Sequence, residues 1–191
     1  MKLVTRLCAA LTLRDRIARS RGRLYKVAFA WCGDEMVADD LVQEAMALAL
    51  QKSHQLRDPD RLHAWMYSVL HNCWRQYLRR QRPSCQLDEE QMPGGPSVEG
   101  LTSRIEIVER VRAAVARLPV GQREVVTLVD LEGLTYAEVA EILEIPIGTV
   151  MSRLNRARKA LQRSLRAIRP RPEGLAEEEG AAEPARLRRV R

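Results

Sequence analysis

The chain has 191 residues, 46% of them hydrophobic but only 4% aromatic, which suits one or two small cores of packed helices better than a β-sandwich. A formal charge of +7 at pH 7 points to a polyanionic partner such as nucleic acid. No run approaches the roughly eighteen apolar residues of a membrane span, and Cys8, Cys32, Cys73 and Cys85 include no C-x-x-C pair, so neither membrane insertion nor a zinc ribbon or thioredoxin-type site is expected.

The N-terminal KLVTRLCAALTLRDR has its short apolar run interrupted at Arg6 and ended at Arg14, unlike a secretory leader, so a cytoplasmic chain with reduced thiols is expected. The first predicted helix spans Leu11 to Trp31. A second follows Asp34, a suitable N-cap, with Leu41, Val42, Ala45, Leu48 and Ala49 on one face. Asp39, Asp40 and Gln43 lie opposite, followed by Glu44, with Ala47 and Leu50 among them. Acids around exposed apolar groups suit a protein contact, although acids near a helix N-terminus also interact favourably with its dipole.

The third helix opens on DPDR, where Asp58 can cap and Pro59 fits the first position, and runs to Gln81. Leu62, Trp65, Met66, Val69, Leu70, Cys73 and Tyr77 recur at three- and four-residue spacing and form its core stripe, which accounts for Cys73. Ser68, His71, Asn72, Arg75, Arg79 and Arg82 make a polar, mostly basic stripe opposite. The loop before this helix, KSHQLRD, adds Lys52, His54 and Arg57, and a loop beside a basic helix suits single-stranded DNA. No second ligand is spaced to join His71 in a metal site, and no catalytic set or cofactor site is spelled out.

From 83 to 103 the chain carries prolines and glycines without apolar periodicity and reads as a flexible linker. The helical blocks at 1–82 and 104–168 are therefore expected to fold as separate units, and the like-charged blocks of 169–191 as a disordered tail. In the second block, Ile105, Val108, Val111, Val115 and Leu118 predict a helix ending at Pro119. A short helix from Gln122 to Leu131 follows and ends at Gly133.

Two closely spaced helices come next. Thr135 and Glu138 form a T-x-x-E capping box, and Val139, Ala140, Ile142 and Leu143 face the core. The sequence EIPIG ends this helix and Pro146 suits the start of another, which makes a helix-turn-helix. Val150, Leu154, Ala157, Leu161 and Leu165 define the buried side of the last helix. Thr149, Ser152, Asn155, Arg156 and Lys159 lie opposite, with Arg153 on the flank. Ile147 to Arg169 holds seven basic residues and no acid, whereas a solvated face normally mixes signs. A one-sign face with small polar residues at its start suits a phosphate backbone and base edges in a major groove.

The stretch LPVGQREVVTLVDLEGLTYAEVAEILEIPIGTVMSRLNRARKAL resembles region 4 of bacterial extracytoplasmic-function sigma factors of the sigma-70 family, and ADDLVQEAMALAL and RLHAWMYSVLHNCWRQYLRR resemble the core-binding and promoter-melting parts of region 2. The resemblance implies an all-α protein of two small helical domains that has no catalysis of its own, binds RNA polymerase core and directs it to particular promoters. Region 2 would meet the clamp helices of the largest polymerase subunit through Asp39, Asp40, Gln43, Glu44, Ala47 and Leu50. It would meet the minus-ten element through Lys52, His54, Arg57, Ser68, His71, Asn72, Arg75 and Arg79. Region 4 would meet the polymerase flap, and the minus-35 element through Thr149, Ser152, Arg153, Asn155, Arg156 and Lys159. An anti-sigma factor is a further partner the family implies. His71 stands where the family often has Arg, Gln76 where it often has Asp or Asn, and Leu50 where an aromatic is frequent. These departures bear on the minus-ten preference. A helix-turn-helix regulator that never meets core, or a sigma-mimicking decoy for an anti-sigma factor, would share only part of these features.

Overall fold

A computed structural model of the protein describes residues 13–56, 58–81 and 104–166. Arg57, Arg82, Cys8, Cys85, the linker at 83–103 and the tail at 169–191 lie outside them, as does the expected start of the first helix at Leu11. The described residues form helices and short helical turns with no strand.

In the first half, residues 13–19 form α1 and Arg21–Cys32 form α2. The sequence predicts one helix here. The structure interrupts it at Ser20, whose hydroxyl donates to the Arg16 carbonyl 2.9 Å away, a bond that competes with the helical ladder. Gly33 ends α2 at φ 73°, where glycine escapes the Cβ penalty. Asp34 caps α3, Glu35–Gln51, by accepting from the Val37 N–H at 2.9 Å. Turns at Ser53–Gln55 and Pro59–Arg61 lead to α4, Leu62–Gln81, and the expected cap is present, Asp58 accepting from the Asp60 N–H at 2.9 Å.

The second half comprises α5, Arg104–Ala116; α6, Val120–Val126; α7, Tyr136–Leu143; and α8, Ile147–Ser164. The short helix expected over Gln122 to Leu131 starts earlier, at Val120, and opens into a wide π turn over Thr127–Leu131, with the Thr127 hydroxyl donating to the Arg123 carbonyl at 2.8 Å. The capping box forms as read: Thr135 N–H donates to Glu138 at 2.8 Å, and Glu138 N–H donates to the Thr135 hydroxyl at 3.3 Å. These Thr135 hydrogen bonds hold the Glu138 carboxyl below its usual range. Between α7 and α8, Glu144 takes the left-handed conformation at φ 56°, and Pro146 occupies the N-cap position rather than the first turn of α8.

The stripes expected on α3, α4, α7 and α8 are buried or half-buried, whereas Val108 and Val111 of the stripe expected on α5 are exposed. Ala38, Leu41, Val42, Ala45 and Ala49 of α3 pack with Leu24, Val27 and Trp31 of α2 and with Leu62, Met66, Leu70 and Cys73 of α4. Val139, Ile142 and Leu143 of α7 close over Val125, Val126 and Leu128 and over Val150, Leu154 and Ala157 of α8. The two halves also meet in this arrangement. α4 packs on α7, α2 packs on α5 and α6, and the buried residues make one continuous cluster. Arg112 of α5 also lies 5.4 Å above the Phe29 ring of α2, a cation–π contact between the halves.

Candidate nucleic-acid interface

The two helices with basic faces meet different surroundings. On α8, Val150, Leu154 and Ala157 are buried, so the opposite side must face solvent. Ser152, Asn155, Arg156 and Lys159 are exposed and Thr149 is half-buried. Arg153 differs: a Cβ added at Gly121 would lie 2.7 Å from its Nη1, so its guanidinium folds back over the start of α6 instead of standing out with Arg156. Arg158, absent from the predicted contacts, braces the helix by donating to Asp130 from Nε at 3.1 Å and from Nη2 at 2.5 Å. Its fork fits a carboxylate bidentately, and the Asp130 bond raises the Arg158 pKa.

On α4, Leu62, Met66, Leu70 and Cys73 of the expected stripe are buried and Trp65, Val69 and Tyr77 are half-buried, yet residues beside the stripe are buried too. Tyr67 and Trp74 are sealed, and His71, expected on the outward basic stripe, is only 4% exposed. The correction has a simple cause. α6 and α7 of the second half cover this side of α4, a long-range contact that a helical repeat cannot disclose. Asn72 and Arg79 remain exposed, while Ser68 and Arg75 are half-buried. Lys52 and His54 are exposed in the preceding turn, and Arg57 is outside the described residues.

Four carboxylates of the second half reach α4 and the turn before it. Trp74 Nε1 donates to Glu124 Oε1 at 2.9 Å, and His71 Nε2 lies 3.9 Å from the same oxygen. Tyr67 donates its hydroxyl proton to Glu132, and Arg61 pairs with Glu141. Arg75 Nη1 donates to Glu144 at 2.9 Å. Burial pushes the Glu124 carboxyl up to about 7, a rise that the Trp74 hydrogen bond and Arg153, Arg123 and Arg75 restrain. Burial and then Arg75 push His71 down to about 4, against Glu144 and a backbone hydrogen bond to Ile142, which raise it. Arg123, beside them, donates to the Trp31 carbonyl of α2 at 2.6 Å and to the carbonyls of Ala116 and Leu118 at 2.8 and 3.0 Å.

Sequence reasoning overlooked this buried set. Its one local signal was the charged pair Arg123–Glu124 set against the apolar run VVTLV. A groove beside the contact joins Leu56, Arg61, Trp65 and Ser68 of the first half to Glu141 and Ile142 of the second.

On α3, Asp40, Gln43, Ala47 and Leu50 are exposed, and Glu44 is half-buried. Asp39 accepts from Arg21 Nη2 at 2.7 Å and so already has a partner.

Residues 17–84 match the family model for sigma-70 region 2, and residues 108–161 match the model for sigma-70, region 4. The ECF RNA polymerase sigma factor EcfG of Rhodopseudomonas palustris (strain TIE-1) is 36% identical over 151 residues, covering 78% of this chain and 83% of the relative. The chain belongs to the extracytoplasmic-function sigma factors. The Escherichia coli (strain K12) sigma-E factor is 31% identical over 141 residues, or 68% of this chain and 74% of that one. Among solved structures, the sigma factor RpoE of Bartonella quintana, in complex with the anti-sigma factor NepR, has a TM-score of 0.65 at 26% identity, covering 81% of this chain and 97% of that one. CnrH, in complex with the cytosolic domain of CnrY, has a TM-score of 0.59 at 28% identity, covering 81% and 88%. This sigma factor is thus an all-α protein that directs transcription. No helix among its described residues is long and apolar enough to cross a membrane.

Proposed function

We propose that this sigma factor divides promoter and polymerase recognition among three helices. The outer face of α3, with Asp39, Asp40, Gln43, Glu44, Ala47 and Leu50, meets the clamp helices of the largest polymerase subunit. The outer side of α4 with its preceding loop takes the minus-ten strand. The face of α8 with Thr149, Ser152, Asn155, Arg156 and Lys159 reads the minus-35 duplex, with Arg153 at its edge. The second half also meets the polymerase flap, and an anti-sigma factor holds the protein inactive until its signal arrives. The protein itself is not an enzyme and needs no cofactor, its site of action is the cytoplasm, and domain boundaries at 82, 103 and 168 fit these roles.

The observation that carries this reading is the exposed, single-signed face of α8 in the same chain as the region 2 helices. Acid-free basic surface binds phosphates without sequence preference, and small polar groups at the start of a helix admit base contacts. In vitro transcription with purified core polymerase on a randomised promoter library tests it. Enrichment of two short elements upstream of the start sites is expected. Transcription without selected elements, or none above core alone, would overturn it. For the core contact, Asp40→Lys is the informative variant, because reversing Asp39 also breaks the Arg21 pair. Core affinity should fall for Asp40→Lys while duplex binding by the chain persists.

A further inference from the structure

We propose that the second half is a built-in cover for α4: Glu124, Glu132, Glu141 and Glu144 occupy that helix as stand-ins for a nucleic-acid backbone, and the strand must displace them. The inference rests on the reading of α4 as the strand-binding helix. The acids reach Arg61 in the turn before α4 and then Tyr67, His71 with Trp74, and Arg75 along the helix, partners that together cover more than three turns. Two of those partners are arginines of the kind that hold phosphates, and here they hold carboxylates.

The cover also reaches the groove of Leu56, Arg61, Trp65 and Ser68, whose far wall is Glu141 and Ile142. A base entering beside Trp65 would meet α7. The α8 face is left open in the same arrangement, because α8 turns its apolar side to α6 and α7. The closed chain can therefore meet a duplex while its strand-binding helix is occupied.

Two features suggest a contact made to be reversible. Glu144 sits at a left-handed turn position that favours glycine or asparagine, yet the side chain placed there is the one that reaches Arg75. Within the sealed contact, Trp31 Nε1 has no hydrogen-bond partner, and a buried donor left so weakens an interface. The outer pairs, Arg61 with Glu141 and Arg75 with Glu144, are about half exposed on both sides and individually weak.

The test uses the full chain carrying Glu132→Gln, Glu141→Gln and Glu144→Gln together. A control carries Asp15→Asn, Glu35→Gln and Glu109→Gln, which make the same change in net charge at exposed sites away from α4. The radius of gyration from small-angle scattering reports opening. Fluorescence anisotropy with a short, labelled, mixed-sequence single-stranded oligonucleotide reports access to α4. The first variant should be larger than the control and should bind the strand about three- to tenfold more tightly. No difference from the control in either measurement overturns the cover. Tighter binding without expansion also overturns it, since charge removal alone would then suffice. Expansion without tighter binding shows that the halves part but that α4 does not take the strand, which defeats the proposed function of that helix and with it the inference.

Discussion

α4 and α8 share a sequence grammar and meet different fates. Each has an apolar stripe at helical spacing and a basic side opposite, and in each most of the stripe is buried and the rest half-buried. α8 keeps its basic side in solvent, with Arg158 turned aside to Asp130. α4 has a second buried side, where Tyr67, His71 and Trp74 meet the other half of the chain. Periodicity reports which side of a helix is polar. Whether that side is free is decided by partners fifty or more residues away, such as Glu124 for Trp74.

The comparison breaks most visibly at Trp74, which is buried, stacked on Tyr77 at 5.7 Å and bonded to Glu124. Trp74→Ala should lower the stability of the full chain by about 3–5 kcal/mol in urea unfolding, through lost packing and an orphaned carboxyl. A loss under about 1 kcal/mol would mean that this side of α4 is not part of a core. On the open helix, Arg156→Ala should leave stability unchanged and cost about 1–3 kcal/mol of binding on the preferred minus-35 duplex. Anisotropy on matched and scrambled duplexes separates the roles, since equal losses on both would make Arg156 a phosphate contact only.

Acidity should act on the covered helix through Glu124 and His71. Closing raises the Glu124 pKa to about 7 from an ordinary 4.5, so closure takes up a proton there and strengthens as pH falls from about 8 towards 6. His71 opposes this, because its pKa falls from an ordinary 6.5 to about 4 on closing and it must shed a proton below 6.5. The charged groups facing the pair are Arg75, Arg123 and Arg153 around Glu124, and Arg75 and Glu144 around His71. The two effects oppose each other most closely near pH 5.5, midway between the two windows, where compactness by scattering should be greatest. Glu124→Gln should abolish the gain between about pH 8 and 6 and leave the loss at lower pH. A wild-type profile flat from 8 to 6 would contradict the burial of Glu124. Smaller effects are expected at the exposed charges: with its pair half-exposed, Arg75→Ala should cost less than about 1 kcal/mol of stability, and Lys159→Ala on α8 close to nothing.

Much of the fold was legible because it is local. The Asp34 and Asp58 caps, the Thr135–Glu138 box and the stripes of α3, α4, α7 and α8 each depend on residues within a turn or two. The interruption at Ser20 was not, because serine is tolerated inside helices and only its bond to Arg16 marks the break. The π turn after Val126 escaped because one extra residue per turn leaves no periodic trace in five residues. Of the residues expected to touch DNA, those on α8 stand where the repeat puts them, apart from the folded-back head of Arg153, whereas His71 was misplaced by a contact encoded far along the chain.

Arg123 bears on how fast the halves could rejoin once parted. Its bonds to the carbonyls of Ala116 and Leu118 lie wholly within the second half, so they do not depend on closure, whereas its bond to the Trp31 carbonyl crosses over. The guanidinium is therefore aimed before contact, much as a key is cut before it meets the lock. Little side-chain freedom remains to be lost when it reaches the Trp31 carbonyl near the end of α2. Reclosure should then be governed by the chain's own diffusion rather than by rearrangement at the contact.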